Sequence, residues 1–518
     1  MSDSKPSIAQ HYHERTKYDP ETIASKNKGL DWARQPLPFK EYKVGAVVDL
    51  KPYLQEDLSA FTEEPHKTLQ RLSRLLLCSY GLTARLPTTP PLYLRAAPSA
   101  GGLYPAEVYL LCRGTPYLQT GIYNYQCRTH SLVHVWEKEV WSVLQEACYW
   151  HTVLGITDIA IVVTAVFYRS AWRYEDRAYR RIFLDTGHLL GNIELACAFT
   201  DYRPHLIGGF SDEMVNELLY LDPEQEGAIA VIPLADHLEL RRKLPPSPTV
   251  LASYTDVNYP EVPDGQLLGY LHRSTQINGF RQWNDDEFLD STQSKEQRED
   301  KYNFPFCTKI STTTTPIDWG GVTPEGLRLP ALENTILQRR STRAYNGANL
   351  TLEELKAVLD FTYQPQHYID QKLDGSPDYF VLDLIETFVA VSGVNNLEEG
   401  CYYYAPKAQE LRQIRFKNFR RELHYLCLGQ ELGRDAGAVV FHTADLEKAV
   451  SKVGDRSYRY LHMDAGHLGQ RLNLAAIYLG LGVSGIGGFF DNQVNEVLGI
   501  PTDEAVLYIT TLGRPKIV

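Results

Sequence analysis

Residues 177–220 read RAYRRIFLDTGHLLGNIELACAFTDYRPHLIGGFSDEMVNELLY, and residues 456–499 read RSYRYLHMDAGHLGQRLNLAAIYLGLGVSGIGGFFDNQVNEVLG. Set against each other without a gap, they agree at about 18 of 44 positions. The agreeing pairs include Arg177/Arg456, Tyr179/Tyr458, Asp185/Asp464, Gly187/Gly466, His188/His467, Gly208/Gly487 and Gly209/Gly488. The offset of 279 recurs upstream: GIYNY at 121–125 falls on GCYYY at 400–404, Pro98 on Pro377 and Glu107 on Glu386. A period of domain size means a duplicated domain, not a solenoid.

The repeat divides the chain into an N-terminal arm at 1–50, a first domain at 51–240, a connecting segment at 241–330 and a second domain at 331–518. The arm carries one apolar-aromatic patch, LDWARQPLPFKEY, expected to pack against a domain. About 90 residues is long for a bare linker, so the connecting segment should wrap one domain and border a cleft. Each domain opens on a helix, HKTLQRLSRLLLCSYG in the first and TLEELKAVLDFTY in the second, where Thr351 and Glu354 form a capping box. Strands follow at EVYLLC (107–112) and GIYNY, matched by TFVAVSG and GCYYY. The β-branched runs IAIVVTAVF and AGAVVFH come next, then long helices at 178–200 and 457–480, then the closing strands IAVIPL and AVLYITTL. With no GxGxxG or GxxxxGK[ST] signature, this alternation predicts α+β domains rather than a Rossmann or P-loop fold.

Composition narrows the function class. The 518 residues are 43% apolar and 22% charged, as in globular chains of two to four domains. A net charge of −12 argues against a dedicated nucleic-acid or anionic-membrane partner. The eight cysteines form no CxxC pair and predict buried free thiols. Without a signal-like N-terminus or an 18-residue apolar run, a soluble cytoplasmic protein is expected. The 33 tyrosines cluster in GIYNY and CYYY, which read as half-buried strand faces.

Two motifs carry chemistry. In Arg339-Arg340-Ser341-Thr342-Arg343, three guanidiniums and two hydroxyls suit a phosphate, whose oxygens arginine forks match. Alternate residues Arg339, Ser341 and Arg343 would share a side of an extended segment. In Pro98-Ser99-Ala100-Gly101-Gly102, small residues after a proline let backbone approach a flat ligand. The pairs Asp185/His188 and Asp464/His467 invite a metal reading, but helix packing explains them more simply and no metal is expected. His11 and His13 are expected to face solvent.

Taken in order, RRSTR, PSAGGLYP, the GIY-type strand, the YRY…DAGH helix and the GGFxD loop resemble nitroreductase-fold flavoproteins. Within them they resemble SagB-type dehydrogenases and cyanobactin-type azoline oxidases, over roughly 70% of the chain. The resemblance implies FMN at a dimer interface. One subunit would supply the arginine segment, the other the PSxG backbone beside the isoalloxazine. Here the halves are divided: domain 2 has RRSTR, while the aligned stretch of domain 1, near EDLSA at 56–60, has no arginine. Domain 1 has PSAGG, while domain 2 reads PDYFV at 377–381. The tandem therefore resembles a covalent pseudo-dimer with one intact FMN site and one decayed site containing Gly208 and Gly209.

By the same resemblance, Arg339, Ser341 and Arg343 grip the phosphate and ribityl chain, with Arg340 a helper and Arg514 a second phosphate contact. Pro98, Ser99, Ala100, Gly101, Gly487 and Gly488 line the ring. The Lys-Tyr pair of many azoline dehydrogenases is split here: Arg173-Tyr174 in one domain and Lys452-Val453 in the other. Tyr174 and Lys452 are thus the catalytic candidates. The leading expectation is two-electron oxidation of a thiazoline or oxazoline in a peptide to the azole, the substrate lying across the interdomain cleft. The alternatives are an NAD(P)H-dependent nitro- or quinone reductase and a non-catalytic scaffold. A further homodimer is compatible with either.

Overall fold

The β-branched run Ile159–Val166 forms a strand buried at all but its last residue, which marks the middle of a sheet covered on both faces. It belongs to a computed structural model describing residues 5–23, 29–54, 63–88, 91–238, 248–279, 299–303, 307–324 and 326–516. The first sheet contains β1 (Ala46–Asp49), β2 (Ala106–Cys112), β3 (Gly121–Gln126), β4 (Ser131–Trp136), β5 (Ile159–Val166), β6 (Tyr202–Pro204) and β7 (Glu226–Asp236). The second contains β8 (Lys309–Ser311), β9 (Glu386–Val391), β10 (Gly400–Ala405), β11 (Glu410–Arg415), β12 (Ala438–Asp445), β13 (Gly482–Ile486) and β14 (Glu504–Gly513). Their spatial orders are the same: β1-β4-β3-β2-β5-β7-β6 and β8-β11-β10-β9-β12-β14-β13. Every pairing in both sheets is antiparallel, so each unit is α+β, as expected.

The edge strands extend the repeat beyond its sequence-based limits. β1 lies within the arm at 1–50 and β8 within the connecting segment at 241–330. Both segments also cap their sheet with a lysine. Lys40 Nζ is 2.7 Å from Glu226 Oε2, and Lys301 Nζ is 2.6 Å from Glu504 Oε1. These additions were missed because the two edges share almost no sequence (AVVD against KIS).

The two units meet on their long helices, Ala178–Thr200 and Ser457–Tyr478. Both are buried nearly all round, which marks them as the centre of the molecule. Gly187 and Gly466 make the crossing possible. A Cβ on Gly187 would stand 2.1 Å from the Met463 carbonyl oxygen, and one on Gly466 would stand 2.2 Å from that of Leu184. The Asp-x-Gly-His repeat is therefore a helix-crossing motif, as packing predicted. His188 bonds Gln470 and Tyr508 at 2.8 Å each, and His467 stacks on Tyr379 at 4.4 Å. Among the described residues, no His/Cys/Asp/Glu cluster could hold a metal ion.

Two buried ion triads lock the interface. Arg177 and Arg180 of the first unit hold Asp491 of the second at 3.0 and 2.7 Å. Arg456 and Arg459 of the second hold Asp212 of the first at 2.5 and 2.8 Å. Burial raises both aspartates, but the arginines outweigh it and hold them below the usual carboxylate range.

None of the eight cysteines forms a disulfide, and all but Cys307 are buried. His13 departs from expectation. The arm helix Ile8–Arg15 packs its Tyr12–His13 face inward, so His13 is 1% exposed with its Nδ1 3.1 Å from the Tyr458 hydroxyl. Among the described residues, no helix is long and apolar enough to cross a membrane.

Candidate functional site

Arg339 follows the helix Pro330–Gln338 and is 4% exposed. It reaches across the interface: Nε donates to the Ala96 carbonyl at 2.7 Å and Nη2 to that of Arg95 at 3.1 Å. These carbonyls immediately precede the Pro98–Gly102 loop. Burial lowers the Arg339 pKa to about 10, so it remains charged at neutral pH. Arg340 also bridges the units, donating to the Thr83 carbonyl at 2.9 Å. Thr342 pairs with the edge of β13 through N–H to the Val483 carbonyl (2.9 Å) and Val483 N–H to its Oγ1 (3.1 Å). Ser341 is half-buried and Arg343 exposed. Neither makes a hydrogen bond or ion pair among the described residues, so both remain available to a ligand. Arg514 adjoins the segment through backbone but is committed to Glu354 at 2.8 Å and to the Asn349 carbonyl.

The Pro98–Gly102 loop is fixed from behind by a carboxylate. Ser99 Oγ donates to Asp185 at 2.6 Å, and the Ala100 amide donates to the same group at 3.1 Å. Burial raises Asp185 to about 7 against the opposing pull of these bonds and of Arg181. Gly101 and Gly102 take φ values of 67° and 66°, the left-handed region that glycine enters without steric cost. A Cβ on Gly101 would stand 2.8 Å from the Tyr174 hydroxyl and 3.4 Å from Arg173 Cδ. Tyr174, at the end of the helix Phe167–Tyr174, therefore faces this loop. Burial raises its pKa, opposed by Arg181 and Arg173, so its phenol is protonated at neutral pH.

Arg181 closes the constellation. Its guanidinium stacks on the Tyr174 ring at 3.7 Å and donates Nη2 to the Gly487 carbonyl at 3.1 Å. A Cβ on Gly487 would lie 3.2 Å from its Nε, and one on Gly488 would lie 3.9 Å from its Nη2. Thus the structure brings Pro98–Gly101 and Tyr174 of one unit to Gly487–Gly488 of the other, with Arg339 joining the same two units beside Pro98. Sequence reasoning missed Arg181 because it sits opposite Tyr460 in the repeat, where the two copies disagree.

The pseudo-symmetric site keeps the glycine pair but differs at the facing positions. Phe380 stands for Gly101, Tyr460 for Arg181 and Gly208 for Gly487. The Phe380 and Tyr460 rings stack at 5.3 Å, and a Cβ on Gly208 would meet both at 2.7 Å. Asp464 holds the backbone of Phe380 and Val381 as Asp185 holds Ala100. The connecting segment completes the filling. Thr249 bonds the Tyr379 carbonyl at 2.7 Å and accepts from the Gly208 amide. Leu251 would be 2.6 Å from a Cβ on Gly209, and its carbonyl accepts from Tyr460. Lys452 belongs to this second side, paired with Asp383 at 2.7 Å while Val453 bonds Ser253. The two catalytic candidates, Tyr174 and Lys452, are thus not brought together. The EDLSA stretch at 56–60 lies outside the described residues.

A cavity of about 500 Å³ elsewhere, lined by Glu14, Asp445, Glu447, Asp491 and Asp503 among others, contains none of the predicted ligand residues.

Comparison with known proteins agrees with the duplicated fold. The Nitroreductase family model matches residues 59–235 and again 336–514. A Methanocaldococcus jannaschii protein named "Putative nitroreductase MJ1384" is 33% identical over 183 residues, which are 35% of this chain and 90% of that one. The Escherichia coli microcin B17-processing protein McbC is 28% identical over 133 residues, 25% of this chain and 49% of that protein. The trifolitoxin-processing protein TfxB of Rhizobium leguminosarum is 30% identical over 154 residues, 28% of this chain and 40% of TfxB. A crystal structure from Anabaena variabilis, also named a "putative nitroreductase", is 70% identical, spans 99% of this chain and 100% of that one, and superposes with a TM-score of 0.92.

Proposed function

The chain belongs to the nitroreductase family, a family of oxidoreductases, and from that premise we propose that it binds one FMN at the Gly101–Tyr174–Gly487 interface. The observation that carries the reading is the asymmetry of the two interfaces. Where Phe380, Tyr460 and Leu251 fill one, small residues and an arginine line the other. The residues present fit the cofactor. Gly101 and Gly487 leave a cradle that a Cβ would fill, Arg181 offers a buried unpartnered donor, and Ser341 and Arg343 remain free for phosphate. When bound, FMN supplies two-electron redox chemistry. Pro98–Gly101, Gly487 and Gly488 would hold the ring, and Arg343 and Ser341 the phosphate. Arg339 would add charge while tying the half-sites together, Arg340 would join the units, and Arg514 would border the segment.

For the reaction, we propose oxidation of a peptide thiazoline or oxazoline to the azole. The sequence resemblance supports this, as do two relatives named for processing microcin B17 and trifolitoxin. A protonated Tyr174 serves such a reaction as a proton donor or orienting group, and the site needs another acceptor for the substrate proton. That observation also favours a second reading, an NAD(P)H-dependent nitro- or quinone reductase, which needs no base and shares its name with two other relatives. Flavin released by heat should amount to one FMN per chain. The flavin-loaded protein is then assayed with a thiazoline peptide under oxygen and, separately, with NAD(P)H and a nitroaromatic. Azole formation supports the first reading, and steady NAD(P)H consumption alone replaces it with the second. A colourless protein that takes up no added FMN sinks both.

A further inference from the structure

Arginines 177, 180 and 181 stand within five residues of one another, and all are at least 95% buried. Arg177 and Arg180 share Asp491. Arg181 forms no ion pair among the described residues, and its Nη1 is buried without a hydrogen-bond acceptor. The nearest carboxylate on its helix, Asp185, is occupied by Ser99 and Ala100. Leaving a buried cation without a counter-charge is costly. The duplicate shows that the position does not require a cation: Tyr460 fills it, bonds the Gly208 and Leu251 carbonyls and closes the second interface. The isolated charge therefore coincides with the open interface, against the Gly487 backbone and the Tyr174 ring.

We infer that Arg181 supplies the charge that selects the reduced, anionic form of the ring over the oxidised form. This rests on the flavin reading above. The phosphate is expected at the 339–343 segment, which leaves the ring as the group adjoining Gly101, Gly487 and Arg181. Oxidised flavin is neutral in the ring. Uptake of two electrons and one proton forms the N5–H bond and leaves one negative charge on the pyrimidine side. A buried guanidinium stabilises only the second state, and so raises the reduction potential.

The test compares wild-type protein with Arg181→Met and Arg181→Lys, each loaded with FMN. The midpoint potential is read by dye equilibration under enzymatic reduction. Arg181→Met is expected to favour the oxidised flavin by tenfold or more, a fall of about 30 mV for a two-electron couple. Its affinity for sulfite, whose flavin adduct is also anionic, should weaken by tenfold or more. Arg181→Lys should stay within threefold of wild type in both. If Arg181→Met does not fold, Arg181→Gln, which keeps a donor and removes the charge, carries the same expectation. Normal FMN content with an unchanged potential and sulfite affinity overturns this inference alone. Failure of the wild type to bind FMN overturns the flavin reading beneath it.

Discussion

At the scale of single residues, the site divides into groups already committed and groups left free. Arg339 and Arg340 are bonded to carbonyls of the first unit, whereas Arg343 is exposed and unpartnered among the described residues. Arg343→Ala should weaken FMN binding by roughly 10- to 100-fold with an unchanged Tm, since one charge-assisted contact at about 1.5–3 kcal/mol is lost. Adding Arg339→Ala should abolish flavin retention and also lower Tm, because that side chain links the units; equilibrium dialysis and thermal unfolding separate the effects. Tyr174→Phe should slow turnover by roughly 100-fold at equal flavin content, while Lys452→Met should stay within about twofold, because Lys452 is partly exposed and paired with Asp383 of its own unit. The Tyr174 pKa is raised by burial, so activity that uses its proton should persist through neutral pH and decline only above about pH 10. An alkaline limb near pH 7 would remove Tyr174 from this role. The motifs RRSTR and PSAGG were legible because several chemically suited residues adjoin in sequence. Arg181 was not, since its meaning depends on which neighbours lack a counter-charge.

At the scale of elements, the long helices and GGFxD loops act as one device. Each aspartate is gripped by two arginines from the other unit, directly beside a glycine pair. Asp491→Asn should destabilise the protein by about 3–5 kcal/mol, the usual effect of breaking a buried charge network. It should also release FMN, because Asp491 closely follows Gly487–Gly488. Asp212→Asn should cost similar stability yet leave flavin content near one, which denaturant titration with absorbance would show. Both carboxylates lie below their ordinary pKa when folded. Their stabilisation is therefore complete above the unfolded value of about 3.9 and is lost as pH falls through the folded values. The helices and central strands were readable from apolar runs and from the repeat itself. The edge strands β1 and β8 were not, because three or four residues joined by pairing alone leave no period to detect. The burial of His13 was hidden for a similar reason: a polar-looking HYH gains its inward face only once the arm docks.

At the scale of the whole molecule, two like units form two unlike interfaces. The connecting segment is the larger reason, since Thr249 and Leu251 fasten one of them shut. Replacing Phe380 by Gly and Tyr460 by Arg should leave the content at one FMN per chain, because the first unit's sequence has no counterpart of the RRSTR motif. A second bound FMN, measured after heat release, would assign phosphate binding to other groups. The proposed flavin site takes its two walls from positions about 390 residues apart, Gly101 and Gly487, on a single continuous chain. A site assembled from separate subunits dissolves when the protein is diluted below the dissociation constant of the interface, and it gives up its ligand with it. Here the partner wall travels with the chain at a fixed effective concentration. Flavin occupancy should therefore depend on the amount of flavin and not on the amount of protein, down to the most dilute solution in which the chain stays folded.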